Sequence, residues 1–126
     1  MSKELIVKKC KSCGATIKVV NDCKCPGCGI VCCDKSMEVL IPNSVDAAVE
    51  KHVPIYEVKE NRIEVKVNHV MEEEHYIEWI SMVTDVEEYI VYLKPGMEAK
   101  ADFKYIPGST VYAYCNKHEL WKTDIK

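Results

Sequence analysis

The chain has 126 residues, of which 29% are charged and 48% are hydrophobic, and its net charge is −3. This length is enough for one compact domain and a small metal-dependent module, but it excludes two independent hydrophobic cores. The composition excludes a disordered chain, and no apolar run has the length of a bilayer span. Because the N-terminus also lacks a signal-peptide core, we expect a soluble, cytoplasmic protein without membrane partners.

Residues 1–36 form the first predicted domain, a Cys-rich metal-binding module. Seven of the chain's eight cysteines lie here, and a reducing compartment favours metal ligation over disulfides. The module also carries seven lysines against three acids, an excess that four metal-bound thiolates would largely offset. We therefore interpret the basic charge as compensation for a thiolate site and expect no nucleic-acid partner. A segment this short needs a metal or an intimate partner to fold.

Residues 37–42 are predicted to form a linker or a short edge strand that ends at a proline. A short helical turn should follow over residues 45–50, where Asn43 or Ser44 can cap its first amides. Pro54 prevents this helical turn from continuing.

Beyond this turn the hydrophobic period changes to two, as the alternation over residues 63–67 indicates. Further β-rich segments follow, separated by turn residues, and no long amphipathic helix interrupts them. The predicted strands cover residues 63–67, 76–84, 89–93, 101–106 and 110–114. We therefore predict a mainly β protein, in which residues 37–126 form an immunoglobulin-like antiparallel β-sandwich.

The chain's four histidines and its eighth cysteine fall at the ends of these predicted strands. They are His52, His69, His75, His118 and Cys115. Loops on a rigid sandwich suit metal ligands because the scaffold fixes their geometry. If all five bind one metal, one position of an octahedron stays open, and imidazole ligands suit iron. An anionic thiolate opposite the open position would push electron density towards whatever binds there, so we expect redox chemistry on a small oxygen species.

Four motifs in this part of the chain resemble those of the superoxide reductases, specifically the two-domain desulfoferrodoxins. They are Glu50-Lys51-His52-Val53-Pro54, His69-x-Met71-x-x-x-His75-x-Ile77-Glu78-Trp79, Leu93-Lys94-Pro95-Gly96 and Cys115-Asn116-x-His118-x-x-Trp121. The resemblance runs over nearly the whole chain. It has two departures, since Val70 stands where many relatives have proline and Glu119 stands where glycine is common. Both concern loop conformation rather than the ligands.

The resemblance implies a ferrous iron with four equatorial histidines, an axial Cys115 and an open sixth position for superoxide. It implies that superoxide is reduced to hydrogen peroxide by one electron and two protons, without release of dioxygen. Lys51 would attract the anion, and Glu50 resembles the family glutamate that takes the sixth position once the iron is ferric. The resemblance also implies a homodimer and an external donor such as rubredoxin.

The N-terminal cysteines leave their ligand set open. Cys10 and Cys13 form a Cys-x-x-Cys pair, in which the two intervening residues let both thiolates reach one tetrahedral metal. The adjacent pair Cys32 and Cys33 resembles that of the desulforedoxin module, where four thiolates hold one iron. In the family this second iron is not needed for superoxide reduction.

A second Cys-x-x-Cys pair, Cys25 and Cys28, could instead complete the site in a rubredoxin or zinc-ribbon pattern, with iron or zinc as the metal. Cys23 adds a further thiol, which makes an iron–sulfur cluster a third alternative. The sequence therefore also fits a different class of function, a non-catalytic iron electron carrier or a zinc-ribbon binding module. Two irons per chain and a charge-transfer band that depends on Cys115 would support the enzyme, whereas zinc alone without a reaction with superoxide would exclude it.

Overall fold

A computed structural model of the chain describes residues 3–27 and 29–126 and contains two compact units. The smaller unit is Glu4–Ile41, and the larger unit is Pro42–Lys126 together with Lys3. Both are built almost entirely of antiparallel strands, which confirms the predicted mainly β class. Over the described ranges the only helix is a 3₁₀ turn at Val49–Lys51, and no helix is long and apolar enough to cross a membrane.

The smaller unit contains two small antiparallel sheets. Its strands are β1 (Ile6–Lys9), β2 (Thr16–Val19), β3 (Val31–Cys32), β4 (Lys35–Ser36) and β5 (Glu38–Val39). Strand β1 lies between β2 and β5 in a three-stranded sheet, whereas β3 and β4 form a hairpin. Since β5 pairs with β1, the segment predicted as a linker or edge strand is a strand of this unit. The smaller compact unit therefore extends to Ile41 and includes this segment.

A buried ion pair joins β1 to the loop that follows β2. Lys8 is 5% exposed, and its Nζ lies 2.8 Å from Oδ1 of Asp22. A buried ammonium needs such a partner because the loss of its hydration is costly. The hydrogen bond from Lys8 lowers the pKa of the Asp22 carboxyl and raises the pKa of the lysine. Both groups are therefore charged at neutral pH.

The larger unit is a β-sandwich of two antiparallel sheets. Its strands are β6 (Ile55–Lys59), β7 (Arg62–Lys66), β8 (Ile77–Val83), β9 (Glu88–Tyr92), β10 (Lys100–Lys104), β11 (Thr110–Cys115) and β12 (Glu119–Asp124). Their order is β10-β7-β6 in one sheet and β12-β11-β8-β9 in the other. Seven strands divided between sheets of three and four form an immunoglobulin-like sandwich, as predicted.

The core of the larger unit follows the period of its strands. Residues of β7 and β10 alternate between buried and exposed, so that Ile63, Val65 and Phe103 lie on the inner face. They pack with Ile80 of β8 and Val111 of β11 in one apolar cluster. Burying a side chain of this size contributes about 1.5–3 kcal/mol. The strands therefore form a stable frame whose edges can hold loops in fixed positions.

Two strands of the sandwich, β6 and β12, are absent from the sequence prediction. Strand β6 is mostly exposed, and β12 has no period of two, so neither carries the alternation of a half-buried strand. The helical turn predicted over residues 45–50 is also wrong in extent, since the 3₁₀ turn covers only Val49–Lys51 and starts from Ala48 without a side-chain cap. Asn43 does not cap it, because its amide bonds the backbone of Lys122 instead.

Asp22→Asn should destabilise the smaller unit at neutral pH, because it leaves the buried ammonium of Lys8 without an anionic partner. The folded-state pKa of Asp22 is lowered, so the pair's contribution is fully present above the unfolded pKa of about 4 and disappears as the pH falls through the folded-state pKa. Urea unfolding should therefore give midpoints for wild type and variant that differ at pH 7 and converge in acid.

Asp34→Asn, in the exposed turn between β3 and β4, is the matched control for this experiment. Its unfolding midpoint should stay close to that of the wild type at each pH. A difference between wild type and Asp22→Asn that persists undiminished below about pH 2 would show that the ion pair is not its cause.

Candidate metal centres

Five potential metal ligands converge at one end of the sandwich. They are His52, His69, His75, Cys115 and His118, and their ligand atoms all lie within 4.8 Å of one another. One histidine follows the 3₁₀ turn, two lie between β7 and β8, and the remaining histidine and the cysteine belong to the hairpin of β11 and β12. The structure thus brings together all five residues singled out from the sequence.

Backbone carbonyls orient two of the imidazoles. Nδ1 of His52 lies 2.7 Å from the carbonyl oxygen of Ala48, and Nδ1 of His69 lies 2.6 Å from that of Val70. Because a carbonyl oxygen only accepts, each Nδ1 carries the proton and each Nε2 keeps its lone pair. Nε2 of His52 lies 3.0 Å from Nδ1 of His118, so that this lone pair faces another ligand.

The pairing of β11 with β8 becomes irregular at the buried thiol of Cys115. Tyr114 pairs with Trp79 but Cys115 pairs with Ile77, so Glu78 of β8 is the extra residue at this step, as in a β-bulge. Sγ of Cys115 lies 3.3 Å from Nε2 of His69 and 3.9 Å from Nδ1 of His118. The thiol is 0% exposed, so it faces the imidazoles rather than solvent.

Burial keeps the imidazoles in the form that binds a metal. Loss of hydration lowers the pKa of His52, His69 and His75 below the usual value for histidine, so their rings are neutral at pH 7. Nε2 of His75 is buried and has no hydrogen-bond partner in the part of the chain that the structure describes. Such an orphaned nitrogen is costly, and a metal ion would satisfy it. The donor set fits iron with one octahedral position open.

Trp121 braces two of the ligands and has a role that the sequence pattern did not reveal. Its ring stacks on His52 with the centroids 4.9 Å apart and an angle of 26° between the planes. Its Nε1 donates a hydrogen bond of 2.8 Å to the carbonyl oxygen of His118. Because Trp121 is only 1% exposed, the surrounding core holds the indole in place. The last residue of the Cys-Asn-x-His-x-x-Trp motif thus stabilises the site without being a ligand.

Two other motif positions shape the loops around the site. Gly96 has a φ of +89°, and its N–H donates to the carbonyl of Met71 at 2.8 Å, which ties the Lys-Pro-Gly turn to the loop between β7 and β8. Glu119, which stands where relatives commonly have glycine, has a φ of +66°. This left-handed conformation costs a residue with a side chain about 1–2 kcal/mol. The departure therefore strains the hairpin and leaves the ligand set unchanged.

Lys51 and Glu50 lie on the 3₁₀ turn, next to the first histidine ligand in sequence, and both are exposed. Lys51 and His69 line the same cavity of about 530 Å³. The lining carries three lysines and two glutamates, which favours the approach of a small anion. Lys51, the residue predicted to attract superoxide, therefore lines a cavity that reaches a ligand of the site.

Four cysteines of the smaller unit form a second candidate centre. They are Cys10, Cys13, Cys32 and Cys33, and their Sγ atoms all lie within 4.8 Å of one another. Gly14, with a φ of +84°, donates from its N–H to the carbonyl of Cys10 at 2.8 Å and closes the turn of the first pair. Cys33 and Asp34 have φ values of 52° and 60°, as a two-residue hairpin turn requires. This turn leaves the two adjacent thiols only 3.9 Å apart.

When no cation is bound, the four thiols do not all deprotonate equally easily. A backbone N–H of Cys13 lowers the pKa of Cys10 to about 6. Hydrogen bonding to Cys10 in turn raises the pKa of Cys32 to about 12 and also raises the pKa of Cys33. A bound cation would remove this conflict because it stabilises all four thiolates at once. The cluster therefore fits iron, as the four-thiolate reading predicts.

Two further described cysteines of the smaller unit, Cys23 and Cys25, do not belong to this cluster. Cys23 and Cys25 are exposed, and the N–H of Cys23 donates to the carboxylate of Asp22 at 2.8 Å. Cys28, which the alternative rubredoxin or zinc-ribbon pattern requires, lies outside the described residues.

Trp121→Phe should keep an aromatic ring against His52 but remove the donor to the carbonyl of His118. A buried acceptor that loses its donor costs about 1–3 kcal/mol, so we expect the free energy of unfolding to fall by about that amount. Trp121→Leu removes the stacked ring as well and should cost more. Urea unfolding of both variants measures the two contributions, and equal losses would show that the stacking on His52 contributes nothing.

Comparison with known proteins places the chain in a family. The sequence model described as "Desulfoferrodoxin" matches residues 44–124. The desulfoferrodoxins of Syntrophotalea carbinolica and Desulfarculus baarsii are each 42% identical to the chain, over 98% of it and 99% of their own length. A superoxide reductase from Treponema pallidum superposes with a TM-score of 0.72 at 25% identity, over 97% of this chain and 100% of that one. The chain therefore belongs to the desulfoferrodoxin family.

Proposed function

We propose that this protein is a superoxide reductase, which converts superoxide to hydrogen peroxide with one electron and two protons. The observation that carries the proposal is the convergence of four imidazoles and one buried thiol within 4.8 Å. The similar structure from Treponema pallidum is described as a superoxide reductase, which supports the same activity here. Removal of superoxide would make the protein part of a defence against oxidative stress.

The chain's own atoms would hold one iron in the larger unit. The proposed ligand atoms are Nε2 of His52, His69 and His75, Nδ1 of His118 and Sγ of Cys115. Ferrous iron held by these atoms would supply the electron that superoxide accepts. The buried thiolate of Cys115 favours donation of that electron over its return, so we propose a reductase rather than a dismutase.

Lys51 would draw superoxide to the site. It is exposed, follows Glu50 in the 3₁₀ turn and lines the same cavity as His69. A positive charge at the opening of a cavity raises the local concentration of an anion and stabilises negative charge that develops inside. The two protons would come from water that the ammonium group helps to organise. Glu50 would be the carboxylate that takes the open position in the oxidised protein.

The four thiolates of the smaller unit would hold a second iron that works as a one-electron site. We propose that reduction of superoxide does not require it, and that a small redox protein such as rubredoxin reduces the iron of the larger unit directly. We also propose that the protein is a cytoplasmic homodimer. A Cys-rich segment too short to fold without a metal or an intimate partner supports this assembly.

Metal analysis of wild type and Cys115→Ser tests the proposed activity. We expect two irons per wild-type chain and a thiolate-to-iron charge-transfer band on oxidation, because a thiolate donates charge to ferric iron. The serine variant should lose the part of this absorption that comes from Cys115 and keep that of the four-thiolate centre. It should also react with superoxide at least about tenfold more slowly in rapid mixing, a barrier higher by about 1.4 kcal/mol. A wild-type chain that contains only zinc and does not consume superoxide would instead be a zinc-ribbon binding module.

Lys51→Ala should lower the second-order rate constant for superoxide by about tenfold at low salt, because the charge at the opening is lost. Its rate should also depend less on ionic strength than that of the wild type. Lys59→Ala is the matched control, since Lys59 lies on β6 of the same unit with a side chain 70% exposed and does not line the cavity. If the two variants slow the reaction equally, net charge rather than the position of Lys51 controls capture.

A further inference from the structure

Asn116 connects the hairpin that carries two ligands to the loop that carries a third. It lies between Cys115 and His118 in the turn after β11. Its side-chain Nδ2 donates to the carbonyl of Glu74 at 3.0 Å, and its Oδ1 accepts from the N–H of Tyr76 at 3.0 Å. These partners fix the orientation of the amide, because a flipped amide would set donor against donor.

The main chain of Asn116 adds a third hydrogen bond to the same segment. Its N–H donates to the carbonyl of Tyr76 at 3.2 Å. Asn116 therefore holds the peptide groups on both sides of His75. The N–H and carbonyl of His75 itself pair with Glu72, at 3.1 and 3.0 Å. The backbone around His75 is thus fixed from two directions, by Glu72 within its own loop and by Asn116 in the hairpin of β11 and β12.

His75 depends on this backbone clamp more than the other ring ligands do. Carbonyl oxygens orient the rings of His52 and His69 directly, through hydrogen bonds to Nδ1. Within the described residues His75 has no hydrogen bond of this kind to its ring, and its buried Nε2 has no partner. The direction of its ring therefore follows from where its backbone is held.

We propose that Asn116 is a positioning residue for His75, which fixes the place of this imidazole relative to Cys115. An asparagine is suited to the task because its amide supplies a donor and an acceptor side by side. Aspartate would keep the acceptor for Tyr76 but lose the donor for Glu74, and alanine would lose both. The proposal rests on the metal site of the proposed function but concerns binding of the metal rather than the reaction.

Iron affinity of Asn116→Ala and Asn116→Asp tests the proposal. The ferrous protein is equilibrated with a competing chelator. After oxidation, the iron retained in the larger unit is measured from the part of the thiolate charge-transfer absorption that Cys115→Ser removes. Loss of a group that orients a ligand typically lowers metal affinity 10- to 100-fold, so we expect a loss of about this size for alanine and a smaller one for aspartate. A shift of the band itself should accompany the loss, because the ligand geometry changes.

Asn43→Ala is the matched control. The amide of Asn43 makes the same kind of two-sided clamp, donating to the carbonyl of Lys122 at 3.2 Å and accepting from its N–H at 2.8 Å, within the same unit. Asn43→Ala should lower the free energy of unfolding without a comparable loss of iron affinity. If Asn43→Ala and Asn116→Ala weaken iron binding equally, the effect is general destabilisation and the proposal is wrong.

A double-mutant cycle assigns the effect to one ligand. In a His75→Ala background, Asn116→Ala should cause little further loss of iron affinity, whereas in a His52→Ala background it should keep its full effect. Full additivity in both backgrounds would overturn the proposal. If the alanine variant does not fold, the aspartate variant is used in the same cycle. If the wild-type chain binds zinc instead of iron, the proposed function fails, and the cycle run on zinc affinity still tests Asn116.

Discussion

The candidate iron site depends on one constraint, the meeting of several strand ends at a single edge of the β-sandwich. Strand β6 begins opposite the end of β7, and β8 begins opposite the end of β11. His52 precedes β6, His69 follows β7, His75 precedes β8, and Cys115 ends β11. Because antiparallel neighbours alternate in direction, these loops emerge on the same side of the fold. Residues as far apart in sequence as His52 and His118 thereby become neighbours.

The two metal centres differ in charge, and this difference separates their roles. A ferrous ion with one thiolate and four neutral imidazoles keeps a net positive charge, whereas the same ion with four thiolates is net negative. An anionic substrate is therefore attracted to the first centre and repelled by the second. Burial supports this distinction, because it keeps the rings of His52, His69 and His75 neutral. Lys51, which lines the same cavity as His69, adds a further positive charge to this end of the unit.

The period of hydrophobic residues in the sequence predicted the strands that have one buried and one exposed face. It missed the elements without this alternation. Strands such as β7 alternate between core and solvent, and their sequences show it. Strand β6 is mostly exposed, so the alternation is absent although each of its five residues pairs with a residue of β7. The helical turn over residues 45–50 failed for another reason. Asn43, which the sequence predicted as the helix cap, has a φ of +61°. Its side-chain amide instead accepts a hydrogen bond from Lys122 of β12, which is distant in sequence.

The sequence by itself determined the kinds of metal ligand and the family, because four histidines and one isolated cysteine at strand ends form a specific pattern. Only the tertiary structure decided which nitrogen of His52 and of His69 faces the site, since the carbonyl oxygens of Ala48 and Val70 select the tautomer. It also decided which thiols of the smaller unit converge. Spacing cannot choose among seven cysteines, but the left-handed turn at Cys33 sets two adjacent thiols beside the first pair. Ligand identity is a local property, whereas convergence depends on contacts between distant segments.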